Sequence, residues 1–105
     1  MDFYAAQSWP ALRSTWNDGL GKKSDDTRAR WNRAVAAVVS GARDDADLKQ
    51  EDVATALGVH RNLVGRIEAS KREMTIADLA VFADLTGQTP KDLFELIVEW
   101  AKKLK

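Results

Sequence analysis

The chain has 105 residues, enough for one small domain and one hydrophobic core. Hydrophobic residues make up 45% of it, too many for a disordered chain. Lys plus Arg is 16 and Asp plus Glu is 16, so the formal net charge is zero and the simplest sign of a nucleic-acid binder, a strongly basic chain, is missing. The absence of cysteine excludes disulfides, thiolate zinc sites and cysteine nucleophiles, and one histidine, His60, cannot build a His-rich metal cluster. No apolar run approaches the roughly 20 residues that span a bilayer. The start, MDFYAAQSWPALRS, lacks the basic end and apolar stretch of a signal peptide. The expectation is a soluble cytoplasmic protein without metal or cofactor.

The chain reads as helix throughout. No segment alternates apolar and polar residues long enough for a strand, and Pro10 and Pro90 are the two prolines. A first helix is expected from Ser8, with Leu12, Trp16 and Leu20 repeating every four residues and Gly19 and Gly21 ending it. Ser24, Asp25 and Asp26 offer caps for the next helix. Its apolar stripe is Trp31, Val35, Val38, Val39 and Ala42, and Asp44, Asp45 and Asp47 break the pattern.

Two later helix starts are sharper. Thr75-Ile-Ala-Asp78 and Thr89-Pro-Lys-Asp92 each place a hydroxyl at the cap and a carboxylate three residues on. Pro90 takes the favoured first helical position. The helix after Thr75 is expected to bury Ile76, Leu79, Phe82 and Ala83. The last helix presents Leu93, Phe94, Ile97, Trp100, Ala101 and Leu104.

Between these elements lies QEDVATALGVHRNLVGRIEA, residues 50–69. Ala54 is small where two short helices would cross, and Gly58 suits a tight turn between them. Val53 and Leu57 face inward from the first helix, Val64 and Ile67 from the second. This pattern resembles the helix-turn-helix family of Cro and phage-repressor type, the XRE family. LKQEDVA at 48–54 is similar to its LSQEELA, LGV at 57–59 to its LGV, RIEASKR at 66–72 to its RIERGKR, and TPKDLF at 89–94 to its SLDELL.

The resemblance implies an all-α fold, a five-helix bundle, here with an extra N-terminal helical segment. The divisions expected are an aromatic-rich extension over 1–34, the helix-turn-helix domain over 35–94, and the rest of the C-terminal helix over 95–105. It also implies double-stranded DNA as partner, with helix 3 in the major groove. Arg61, Asn62 and Arg66 would contact bases, since Arg suits guanine O6 and N7 and Asn suits adenine N6 and N7. Gln50, His60, Lys71 and Arg72 would contact phosphates. Arg43 and Glu68 would form a structural salt bridge. Four residues depart from the pattern: Lys49 and His60 stand at the cap positions of helices 2 and 3, Gly65 lies inside helix 3, and Ser70 replaces a glycine after it.

The regulator expected is a repressor, acting as a homodimer on a two-fold symmetric site. Ile97, Trp100 and Leu104 are the expected dimerisation residues. The N-terminal aromatics Phe3, Tyr4, Trp9, Trp16 and Trp31 either enlarge the core or bind a partner, while Arg28, Arg30 and Arg33 could reach along the DNA backbone. The competing reading is a protein-binding module such as an antitoxin or antirepressor. Enzymatic function is not expected. Asp25-Asp26 and Asp44-Asp45 are sequence neighbours, which diverge by about 100° on a helix and so make no carboxylate dyad.

Overall fold

The computed structural model describes residues 24–104. The helix expected from Ser8, with Leu12, Trp16 and Leu20, lies outside the described residues, as do Phe3, Tyr4 and Trp9. Five helices follow in chain order: α1 Ser24–Asp45, α2 Gln50–Leu57, α3 Arg61–Glu68, α4 Ile76–Thr86 and α5 Pro90–Lys103. Among the described residues there is no strand.

Local chemistry accounts for the helix ends. The Thr75 and Thr89 hydroxyls accept hydrogen bonds at 3.0 Å from the backbone N–H of Asp78 and Asp92. Each satisfies a first-turn donor that the helix itself leaves unpaired. Gly58 ends α2 at φ 69°, and Gly87 ends α4 at φ 78°. Both angles lie in the left-handed region where a Cβ is penalised.

The long first helix is the floor of the fold. It packs against α5 and α3, while α2 packs against α3 and α4, and α4 against α5. The core between them holds Val38, Val39, Val53, Val64, Ile67, Phe82, Leu93 and Ile97. Phe82 and Leu93 are fully enclosed. No charged or polar residue is buried among the described residues.

Two expected contacts differ. Ile76 is 78% exposed rather than buried. It is the first residue of α4, so its side chain stands at the open end of the helix, one turn before Leu79 enters the core. In α5 the core stripe is Leu93, Ile97 and Ala101, at spacings of four. Phe94 and Trp100 flank that stripe and stay partly exposed, and Phe94 stacks on Trp31 with ring centroids 6.2 Å apart.

Candidate nucleic-acid interface

The turn between α2 and α3 is tied by backbone bonds. Val59 N–H reaches Ala54 O at 3.0 Å and Gly58 N–H reaches Thr55 O at 3.2 Å. Val64 and Ile67 then anchor one side of α3 in the core. Its other side is turned outward. Arg61, Asn62 and Arg66 are all exposed. Together with Gln50 and Gly65 they line one open cleft. The structure thus brings the three expected base-contacting residues to one face, beside the start of α2.

The cap positions depart from the usual hydroxyl chemistry. Lys49 has no acceptor to offer α2, but its backbone N–H donates to Asp52 Oδ2 at 2.8 Å. His60 stands at the cap of α3, exposed, with no side-chain bond to the helix. Its imidazole is therefore turned to solvent beside Arg61. After α3, Ser70 takes φ 62°, the left-handed angle a glycine would adopt without penalty. Lys71 N–H closes that turn onto Arg66 O at 2.8 Å. The turn delivers Lys71 and Arg72, both exposed, beyond the end of α3.

Two acids sit close to these cations, and both are paired. Arg43 Nε donates to Glu68 Oε2 at 2.7 Å, and Arg43 Nη2 donates to Glu68 Oε1 at 3.1 Å. This is the fork geometry in which guanidinium and carboxylate bind best. The Glu68 side chain is only 8% exposed. The hydrogen bond that Arg43 donates to Glu68 raises the Arg43 pKa above its ordinary value, more than burial lowers it. Arg43 Nη1 also donates to Leu48 O at 2.8 Å, so one guanidinium fastens α1, the α1–α2 loop and α3.

The second acid, Glu73, accepts a hydrogen bond from Arg28 on α1. That bond holds the Glu73 carboxyl below the usual carboxylate range. Arg28, expected with Arg30 and Arg33 to reach along the DNA backbone, is instead engaged with Glu73, a residue for which the sequence offers no role. The two lie 45 positions apart, and no periodicity links them. Both of these acids are partnered, while Arg61, Arg66, Lys71 and Arg72 are exposed on and just after α3.

Gln50 is also tied into the fold. Its side-chain nitrogen donates one hydrogen bond to Glu68 Oε1 at 3.1 Å, which leaves its second amide N–H unused by that bond. Ile97 differs from its sequence reading. It is 1% exposed and fills the monomer core, so it is not available to a second chain. Leu104 is partly buried against the same core, whereas Trp100 remains 42% exposed.

Among the described residues, no group of three or more His, Asp or Glu side chains is placed to hold a metal ion. No helix there is long and apolar enough to cross a membrane.

The comparisons with known proteins bear on the family and the fold. No curated protein matches the chain. Among solved structures, the chain is similar to a single-substitution mutant of the restriction-modification controller protein C.Esp1396I. The two share 23% identity over 66% of this chain and 87% of that one, with a TM-score of 0.59, a likeness of fold. The family model described as helix-turn-helix domain matches residues 27–96. The chain belongs to the helix-turn-helix domain family, and its described residues have an all-α fold like that of the controller protein.

Proposed function

We propose that the protein is a sequence-specific double-stranded DNA-binding repressor that works as a homodimer on a two-fold symmetric site. The observation that carries this reading is the outward cleft of α3. Arg61, Asn62 and Arg66 are exposed together there while Val64 and Ile67 hold the opposite side of the helix in the core. In this reading α3 enters the major groove and those three side chains contact base edges. His60, Lys71 and Arg72 lie on either side of α3 and contact phosphates.

The dimer reading rests on a different face. Trp100 and Leu96 stand exposed on α5 beside the short side of α1 at Ala37 and Gly41, and together they line a shallow groove. A second copy that seats its Trp100 in this groove is the arrangement a two-fold interface of this face would use. Of the three residues expected at the interface, Trp100 is the exposed one and carries this reading, Ile97 lying in the core.

Selection of binding sites from a random duplex pool tests the function. A two-fold symmetric site with half-sites about one helical turn apart is the expected result. If no sequence is enriched at any salt concentration, the protein-binding module becomes the better reading.

A further inference from the structure

The orientation of the Gln50 amide is fixed by chemistry. A carboxylate can only accept hydrogen bonds, so the group facing Glu68 Oε1 at 3.1 Å must be the Gln50 nitrogen. Glu68 is in turn clamped by Arg43 through two bonds, at 2.7 and 3.1 Å. The Gln50 carbonyl oxygen therefore points the other way, over α3 at Gly65. A Cβ built on Gly65 would meet Gln50 Oε1 at 3.8 Å and nothing nearer. The cleft in which this oxygen stands is lined otherwise by Arg61, Asn62 and Arg66.

The cleft is thus mixed in character. Its two guanidinium groups can only donate. Gln50 Oε1 accepts, and no protein donor among the described residues reaches it. A phosphate oxygen is itself an acceptor and gains nothing from such a group. In the major groove the donors that remain are the exocyclic amino groups, N4 of cytosine and N6 of adenine.

From this geometry we infer that Gln50 is a specificity-determining residue, its carbonyl accepting a hydrogen bond from a cytosine or adenine amino group in the major groove. The inference rests on the reading of α3 as the recognition helix. Arg43 and Glu68 act as positioning residues, since they hold the amide in the orientation that offers its oxygen. Gly65 belongs to the same device, because the missing side chain leaves the space above the oxygen open.

The test is binding-site selection with the full chain, its Gln50→Met variant and its Gln50→Lys variant. Methionine removes the acceptor and the donor. Lysine removes the acceptor but can still donate to Glu68, so it guards against a loss of folding in the first variant. Relative affinities are then measured for every base at each position of the wild-type site. The expected result is that both variants lose preference for an amino-bearing base at one position per half-site. Discrimination there should fall about 3- to 10-fold, as for loss of one hydrogen bond, with other positions unchanged. The arm that loses preference, cytosine or adenine, identifies the base. An equal loss on all sequences would mean a phosphate contact and overturn the inference, as would an unchanged profile in either folded variant. If wild type itself selects no sequence, both the inference and the proposed function fail. If wild type selects a site that the variants read identically, only the inference fails.

Discussion

At the scale of single residues, glycine and serine carry opposite lessons in and after α3. Gly65 lies in a helix interior where alanine is favoured by about 1 kcal/mol. The cleft has room for the added methyl, whose nearest contact is an ordinary 3.8 Å. Gly65→Ala should therefore raise the unfolding midpoint while weakening binding to the selected site, because the methyl occupies the floor of the cleft. Denaturant titration and DNA titration of the same sample check the two opposite signs. At Ser70 the backbone is left-handed, φ 62°, without the freedom of glycine. Ser70→Gly should stabilise the fold by about 0.5–1 kcal/mol, the balance of relieved strain and the added chain entropy of glycine. Denaturant titration checks this as well. The sequence identified both residues as departures from a pattern, but it did not say that Ser70 keeps the turn a glycine would make. That depends on the closing bond from Lys71 N–H to Arg66 O. Ile76 and Ile97 show where periodicity stops informing. Both are apolar and in phase with their helices, yet one stands at an uncovered helix end and the other is enclosed.

At the scale of elements, the α1–α3 fastening and the α1–loop contact behave differently. Removing the Arg43 guanidinium strands a carboxylate whose side chain is only 8% exposed. Arg43→Met should cost about 2–3 kcal/mol, since it leaves the carboxylate of a part-buried ion pair without its partner. The check is a lower denaturant midpoint with an unchanged slope. The Arg28–Glu73 pair lies on the surface and contributes little stability. Its signature is titration. The Glu73 pKa is lowered in the fold, so the stabilisation it provides is present above the unfolded-state value. That contribution is lost as pH falls through the folded value. Carbon-detected NMR should find the Glu73 carboxyl titrating below the ordinary range, and Arg28→Ala should return it upward. The helix caps, the α2–α3 turn and the core face of α3 were legible, because Thr75, Thr89, Gly58, Val64 and Ile67 act through neighbours within one or two turns. The Arg28–Glu73 contact was not, since it follows from how α1 packs rather than from any local spacing.

At the scale of the whole molecule, the zero net charge is an average over unlike faces. Asp44, Asp45 and Asp47 lie exposed at the end of α1, while Glu68 and Glu73 are neutralised by Arg43 and Arg28. On and just after α3, Arg61, Arg66, Lys71 and Arg72 are exposed. If Lys71 and Arg72 each neutralise one phosphate, a dimer should show a log–log salt slope of about −4. A far steeper slope would mean that DNA binding relies on another surface. The dimer face makes its own prediction. Trp100→Glu should give a monomer by light scattering and leave the fold intact, because Trp100 lies outside the core. Ile97→Ala should instead cost about 2–5 kcal/mol of stability, as a truncation in a closed core does.

The central claim is that α3 reads sequence. The most direct measurement is the ratio of affinities for the selected duplex and a scrambled one at fixed salt, with Arg61, Asn62 and Arg66 replaced together by alanine. The ratio should collapse toward unity, each lost base contact removing about 1–3 kcal/mol of discrimination, while scrambled DNA still binds through Lys71 and Arg72. A variant that keeps the wild-type ratio would contradict the claim.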